Sequence, residues 1–120
     1  MKQILTVDDS SSIRQMVSFT LAKAGYQVAE AVDGRDGLAK AGQNKFDLII
    51  TDLNMPNMDG IQMITALRKL SGYNFTPILM LTTESQGEKK DEGRKAGATG
   101  WIVKPFKADQ LIAVLQKLVK

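Results

Sequence analysis

The feature that most constrains the fold is a regular alternation of short apolar runs with helix-like segments. Five runs have the length and composition of buried strands: Gln3–Val7, Tyr26–Ala31, Phe46–Thr51, Pro77–Leu81 and Trp101–Val103. Strands that alternate with helices predict a parallel sheet covered on both faces. Because the crossovers between parallel strands are right-handed, the doubly wound α/β class is favoured.

The helical segments differ in strength. The first has helical spacing at Ile13, Met16, Val17, Thr20 and Leu21, which predicts an amphipathic helix. We expect Ser12 and Gln15 to form its capping box and Gly25 to end it. Residues 84–96 include no large apolar side chain, so we expect a helix that buries little area and is easily displaced.

Two absences in the composition limit the chemistry. The chain has no cysteine and no histidine, which excludes disulfides, thiolate nucleophiles, histidine bases and zinc sites built on either residue. Catalytic groups must therefore be carboxylates, hydroxyls or lysines. This set is typical of sites for hard cations and phosphate.

Length, hydropathy and charge predict the domain organisation, the location and the class of partner. We expect residues 1–120 to form a single domain with no output domain attached. The apolar runs are too short to cross a bilayer and no signal peptide is evident, which predicts a cytoplasmic protein without membrane insertion. The net charge is +3, but the basic residues are scattered, so we expect no direct binding of nucleic acid.

Polar residues end four of the predicted strands. Asp8 and Asp9 close the first, Asp52 the third, Thr82 the fourth and Lys104 the fifth. Since the carboxyl ends of parallel strands share one edge of the sheet, these side chains should meet in one pocket. Crowded carboxylates repel one another by several kcal/mol, on the order expected at intermediate dielectric. Lys104 offsets one charge and leaves room for Mg²⁺.

These residue types support phosphoryl transfer. Asp52 stands alone at its strand end and is the best nucleophile, whereas the Asp8–Asp9 pair is better suited to holding metal. Lys104 and Mg²⁺ would neutralise charge on the transferring group, and the Thr82 hydroxyl would donate a hydrogen bond to it.

Four motifs in order resemble those of a known family. They are DD at 8–9, TDLNMP at 51–56, LTTE at 81–84 and WIVKPF at 101–106. The set resembles the receiver domain of response regulators, especially its free-standing chemotaxis members, over the chain from about Lys2 to Lys120. The resemblance implies a flavodoxin-like sheet of order 2-1-3-4-5 with five helices.

The resemblance also implies roles for individual residues. Asp52 would be the phosphoacceptor, and Asp9, Asp52 and the backbone carbonyl of Asn54 would bind Mg²⁺ directly, with Asp8 acting through water. Thr82 would move toward the phosphoryl group and Lys104 would pair with it.

Three further positions are assigned by resemblance. Asn54 and Glu84 would tune the loss of the phosphoryl group to water, and the bond before Pro105 is commonly cis in the family. The switch aromatic corresponds to Trp101, where the family usually has Tyr, Phe or His. The indole is larger than a phenol ring and needs more room to turn inward.

The partners follow from the same resemblance. A histidine kinase would donate the phosphoryl group. We expect a monomer that is not an enzyme on separate substrates and that signals by binding a protein such as the flagellar motor switch. The contact surface would be the fourth helix, fifth strand and fifth helix, around Trp101 and Lys107.

Other functions fit part of this pattern. A phosphorelay intermediate or a phosphate sink of the same fold remains open. A Mg²⁺-dependent phosphatase of the haloacid-dehalogenase type would need an acid where Asn54 stands. An interaction module independent of phosphorylation usually lacks one of the site residues. Asp8 and Asp9 could instead be only a turn and a helix cap, and Asp52, Thr82 and Lys104 ordinary surface residues, but their convergence disfavours this.

Overall fold

Five strands and five helices alternate along the chain. The computed structural model describes residues 2–83 and 87–119, with the backbone alone described at residues 82, 83, 87 and 88. The strands are β1 Gln3–Val7, β2 Gln27–Ala31, β3 Leu48–Asp52, β4 Ile78–Thr83 and β5 Gly100–Lys104. The helices are α1 Ser11–Lys23, α2 Gly34–Gln43, α3 Gly60–Leu67, α4 Gly87–Ala96 and α5 Ala108–Leu118.

All strand pairs are parallel and the order is β2-β1-β3-β4-β5. The predicted fold class and strand order are therefore confirmed. In the register of the sheet, Leu5 of β1 pairs with Ala29 of β2 and with Ile49 of β3. This alignment places the carboxyl ends of the central strands side by side.

Side chains alternate between two cores, one on each face of the sheet. Leu5 and Ile49 pack with α2 and α3 residues, whereas Ile4 and Ile50 pack with α1 and α5 residues on the other face. Successive strand residues point to opposite faces, so the uninterrupted apolar run of β3 is buried on both sides. The helices thus cover the sheet and leave its carboxyl edge accessible.

The start of α1 differs from the sequence prediction. Ser10, with extended backbone, is the N-cap, and its hydroxyl accepts a hydrogen bond from the Ile13 amide at 3.3 Å. The predicted cap at Ser12 is wrong because β1 ends so close to the helix that the first available hydroxyl caps it. The buried stripe is also narrower than predicted, since Met16 is 51% exposed.

Other boundaries move by a few residues. β3 begins at Leu48 rather than Phe46, whose amide donates to the Tyr73 hydroxyl at 3.2 Å. Helix α3 ends at Leu67. Within residues 2–83 and 87–119, the structure has no helix with both the length and the apolar character needed to cross a bilayer.

Candidate functional site

Three carboxylates meet at the carboxyl edge of the sheet. Asp8 and Asp9 follow β1 and Asp52 ends β3, and one carboxylate oxygen from each lies within 4.8 Å of the others. Asp8 and Asp52 are buried, whereas Asp9 is exposed. The predicted convergence of these three residues is what the structure shows.

Lys104, at the end of β5, supplies the positive charge. Its Nζ atom lies 3.0 Å from Asp52 Oδ1 and 3.2 Å from Asp8 Oδ2. The lysine side chain is only 14% exposed, so water screens these contacts much less than it screens surface ion pairs. The ammonium therefore bridges the two buried carboxylates.

Backbone amides complete the contacts of the buried acids. The Ser10 amide donates to Asp8 Oδ1 at 2.9 Å, and the Leu53 amide donates to Asp52 Oδ1 at 2.9 Å. Asp52 Oδ1 thus receives two donors. Among the described residues no donor reaches Asp52 Oδ2, so the two oxygens of this carboxylate are inequivalent.

The electrostatic balance of the pocket is visible in two pKa values. Burial raises the pKa of the Asp52 carboxyl; the hydrogen bond from Lys104 opposes this shift, the charge of Asp8 adds to it, and the net shift is upward. Burial acts to lower the pKa of Lys104, but its hydrogen bond to Asp52 and the two acidic charges outweigh burial and raise it. Lys104 therefore stays protonated, and Asp52 ionises at a higher pH than an unperturbed aspartate would.

Gly60 allows the loop that follows Asp52 to pack closely against the end of β3. The Gly60 amide donates to the Leu53 carbonyl at 2.9 Å, and a Cβ at Gly60 would lie 2.3 Å from the Asp52 carbonyl oxygen. Any larger residue would push the loop away from the acidic pocket. Asn54 lies on this loop, with its side chain exposed.

The donor set fits a hard divalent cation. Three carboxylates supply only oxygen ligands, which Mg²⁺ prefers, and the exposed Asp9 leaves the pocket open to the waters that this ion retains. One lysine leaves the cluster with excess negative charge. Such a cluster is stabilised when a cation enters.

The remaining predicted residues lie at different positions around this edge. Thr82 lies in β4, paired with Val103 in the register, and its side chain is not among those described; Glu84 also lies outside the described residues. The Lys104–Pro105 peptide bond is cis. Trp101 is half-buried in β5 and packs against the core on the α2–α3 face.

Helix α4 is held to Trp101 by cations. Lys90 Nζ lies 5.0 Å and Arg94 Cζ 5.7 Å from the centroid of the indole ring, within the range of cation–π contact. Gly93 is the buried position of α4 among those described. As expected, this helix buries little apolar area, and the two cations were not foreseen as partners of Trp101.

One polar residue at the pocket was missed by the sequence analysis. Arg14 of α1 donates from Nη1 to the carbonyl oxygen of Asp8 at 2.7 Å. The available signal was its place one turn after the Ser10 cap, since the first turn of a helix that follows β1 must lie beside the pocket. Its partner is a backbone carbonyl, which no side-chain pattern marks.

Comparison with known proteins identifies the family. The Response regulator receiver domain profile matches residues 4–116. The chain belongs to the response regulator receiver domain family. The acidic pocket described above is the site at which such receiver domains bind Mg²⁺.

Solved structures agree with the family. The chemotaxis protein CheY4 of Vibrio cholerae is 57% identical, with a TM-score of 0.95 and 99% of each chain covered. The response regulator protein TrrA of Thermotoga maritima, in complex with Mg²⁺-BeF, is 33% identical, with a TM-score of 0.89, and the match covers 99% of this chain and 100% of that one.

Curated relatives extend beyond the matched region. The transcriptional regulatory protein PrrA of Mycobacterium bovis is 36% identical over 118 residues, which are 98% of this chain and 50% of the relative. The chain spans about half the length of the curated relatives it matches. The receiver domain of two-component systems is therefore shared by proteins with different outputs.

Proposed function

We propose that the chain accepts a phosphoryl group from a histidine kinase on Asp52 and signals through phosphorylation-dependent protein binding. The observation that carries this proposal is the Lys104 ammonium, 3.0 Å from Asp52 Oδ1, beside two further carboxylates. A nucleophilic carboxylate with a fixed ammonium and an acidic cation site beside it supplies what phosphoryl transfer requires.

The transfer step uses the inequivalent oxygens of Asp52. Oδ2 attacks phosphorus while the bond from phosphorus to the donor's imidazole nitrogen breaks, so the electron pair returns to the imidazole and the carboxylate becomes an acyl phosphate. Lys104, with its pKa raised by Asp52 and Asp8 against the effect of burial, stays protonated and pairs with a phosphoryl oxygen.

A bound Mg²⁺ would neutralise charge on the phosphoryl oxygens. Asp9 and Asp52 are proposed as its direct ligands, with the Asn54 carbonyl as a third and Asp8 acting through water. The oxygen-only donor set supports this assignment, and the printed description of TrrA as a Mg²⁺-BeF complex supports it by similarity.

The remaining roles are also proposals. Thr82 would donate to the phosphoryl group, and Glu84 and Asn54 would tune its hydrolysis. Trp101 would report the state of the pocket to partners, which its contacts with α4 cations support. Pro105, the residue after Lys104, would also belong to the switch.

Chemotaxis is the proposed pathway, with a flagellar motor switch as target. The 57% identity to CheY4, over 99% of both chains, supports it. A cytoplasmic monomer in which residues 1–120 form one receiver domain, without direct contact with nucleic acid, stays part of this proposal.

A second candidate is the receiver portion of a transcriptional regulator. The observation that favours it is the match to PrrA over half of that protein's length. The two candidates differ in output: chemotaxis requires binding to a motor protein that strengthens on phosphorylation, whereas the alternative requires a DNA-binding domain joined to this one.

The proposed chemistry is tested by intact mass after incubation with Mg²⁺ and acetyl phosphate. We expect one added phosphoryl group in the wild type and none in Asp52→Asn or in the presence of EDTA. Asp109→Asn, an exposed carboxylate at the start of α5, is the matched control and should be modified normally.

Failure has a defined form. Absence of the adduct under rapid quenching, with no response to beryllofluoride, would remove the acceptor mechanism and favour a phosphorylation-independent interaction module.

The proposed output is tested separately: binding of a purified motor switch protein should strengthen with beryllofluoride. Equal binding with and without it would count against chemotaxis and leave the acceptor chemistry standing.

A further inference from the structure

Arg14 joins α1 to the peptide that links the first two acids. Its Nη1 donates to the Asp8 carbonyl at 2.7 Å, and its Nε donates to Glu30 Oε1 of β2 at 3.2 Å. Glu30 is itself held by the Ser18 hydroxyl, which donates to Oε2 at 3.0 Å. The Arg14 side chain is only 15% exposed, and its guanidinium is fixed between an acceptor on β2 and one on the loop after β1.

The other groups of Asp8 are already fixed. Its amide donates to the Ala31 carbonyl at 3.1 Å, and its carboxylate accepts from Ser10 and Lys104. The remaining polar group of Asp8 is its carbonyl oxygen, which accepts the hydrogen bond from Arg14. Because that carbonyl belongs to the peptide between Asp8 and Asp9, the Arg14 bond fixes the plane from which Asp9 projects.

Asp9 depends on this backbone more than the other acids do. Its side chain is exposed, and among the described residues no donor bonds to its carboxylate. The position of its carboxylate therefore follows the Asp8–Asp9 backbone. A shift of the Asp8–Asp9 peptide would carry the Asp9 carboxylate out of the cluster with Asp8 and Asp52.

We propose that Arg14 is a positioning residue for the acidic pocket: it holds the Asp8–Asp9 peptide so that the Asp9 carboxylate points to the same place as Asp8 and Asp52. This inference rests on the proposed function, because the cation is the ligand that the three acids share. Outer partners that orient metal ligands typically contribute 10- to 100-fold in metal affinity, to an order of magnitude.

The direction in which Mg²⁺ affinity changes when Arg14 is removed distinguishes a positioning role from a purely electrostatic one. The Arg14 guanidinium carries a permanent positive charge beside a cation site, and a charge of that sign repels Mg²⁺. If charge alone mattered, removing it would tighten Mg²⁺ binding. If positioning matters, removing it weakens binding despite the relief of repulsion.

The experiment is calorimetric titration of MgCl₂ into the metal-free protein. We expect Arg14→Gln to weaken the affinity by about 10-fold or more. Arg14→Lys should fall between that variant and the wild type, since an ammonium lacks the fork that reaches the Asp8 carbonyl and Glu30 together. Arg35→Gln removes an exposed arginine of α2, and its Mg²⁺ affinity should stay within about twofold of that of the wild type.

A second readout does not require metal. Amide hydrogen exchange at Ser10, whose N–H bonds to Asp8 Oδ1, should be faster in Arg14→Gln than in the wild type or Arg35→Gln, after correction for global stability. Faster exchange together with weaker Mg²⁺ binding supports the inference.

Contrary outcomes are distinguishable. Equal or tighter Mg²⁺ binding by Arg14→Gln, beside a wild type that binds, overturns the role of Arg14 and leaves the proposed function intact. A wild type that binds no Mg²⁺ overturns the proposed metal site and this inference with it. If Arg14→Gln does not fold, Arg14→Lys decides, since wild-type affinity in that variant would also overturn the inference.

Discussion

The Nζ atom of Lys104 lies 3.0 Å from Oδ1 of Asp52, although 52 residues separate them in the chain. The same ammonium also contacts Asp8, so one positive charge serves two buried carboxylates and the exposed Asp9 adds a third. At an effective dielectric near 20, two like charges roughly 4 Å apart cost about 4 kcal/mol. The metal-free pocket is therefore held under electrostatic repulsion.

Relief of that repulsion should make Asp52→Asn more stable than the wild type at neutral pH. The pKa of Asp52 in the folded protein is raised from 3.8, first by burial. Relative to asparagine, this carboxyl contributes stability below its unfolded pKa and loses it as pH rises through the raised folded pKa. We expect the variant to gain about 0.5–2 kcal/mol near neutral pH.

The measurement is urea unfolding of both proteins without metal, from roughly pH 3 to roughly pH 8. The stability of the wild type minus that of Asp52→Asn should fall steadily as pH rises. Asp109→Asn, an exposed carboxylate, should track the wild type. A difference between the Asp52 variant and the wild type that grows in the opposite direction would refute the proposed balance of charges.

Asp9→Asn should separate metal binding from folding. The Asp9 side chain is exposed and bonded by no described donor, so the free energy of unfolding without metal should change by no more than about 0.5 kcal/mol. Ligand binding to the folded state stabilises it by about 2.7 kcal/mol at 100 times the dissociation constant. We expect this Mg²⁺-dependent gain in the wild type and little of it in the variant.

Thermal unfolding over a MgCl₂ series, matched in ionic strength with NaCl, measures both quantities for Asp9→Asn. Asp109→Asn should keep the full Mg²⁺ response. If Asp9→Asn is stabilised by Mg²⁺ as strongly as the wild type, Asp9 is not a ligand.

The sequence predicts this site because each main residue lies at, or directly after, the carboxyl end of a strand. Once the segments alternate as strands and helices, a parallel sheet must bring Asp8, Asp52 and Lys104 to one edge. Such residues can be assigned from topology without any knowledge of their contacts. Composition alone predicted the weak packing of α4, since that segment has no large apolar residue.

Residues that act on backbone carbonyls escaped prediction. Arg14 bonds to the Asp8 carbonyl, and Arg68 bonds to three carbonyls in two loops. Backbone acceptors are present at every position, so the sequence carries no pairing signal for them. The prediction of Ser12 as the cap was wrong for a related reason. The position at which the chain leaves β1 determines which residue caps α1, and Ser10 is the first serine after the strand.

Trp101 should become more exposed to solvent when its cationic partners are removed. The side chains of Lys90 and Arg94 lie over the indole ring, at 5.0 Å and 5.7 Å from its centroid, and their apolar stems shield it. Trp101 is the only tryptophan of the chain, so its emission is read directly. The double variant Lys90→Ala/Arg94→Ala should show red-shifted emission and stronger quenching by acrylamide.

The matched control for the indole is Lys89→Ala. Lys89 is a neighbour on α4 that forms an exposed pair with Glu92 at 3.5 Å, and its removal should leave the emission unchanged. An unaltered spectrum in the Lys90/Arg94 double variant would show that the two cations do not cover the ring.

Arg68 should be one of the most sensitive positions for stability. Its Nη1 donates to the carbonyls of Tyr73 and Thr76, both at 2.8 Å, and its Nη2 and Nε donate to the Gly97 carbonyl at 2.6 and 3.2 Å. Burial lowers the pKa of the guanidinium, but an arginine remains charged. Arg68→Met would leave all three carbonyls without this donor, and we expect a loss of about 2–4 kcal/mol.

Urea unfolding measures this loss, and two variants test its cause. Arg35→Met removes an exposed arginine and should change stability by no more than about 0.5 kcal/mol. Arg68→Lys retains the charge but cannot span carbonyls on both sides, so it should recover only part of the loss. Full recovery of stability in Arg68→Lys would contradict this. It would mean that the charge, and not the fork geometry, holds Gly97, which follows α4, to the loop that precedes β4.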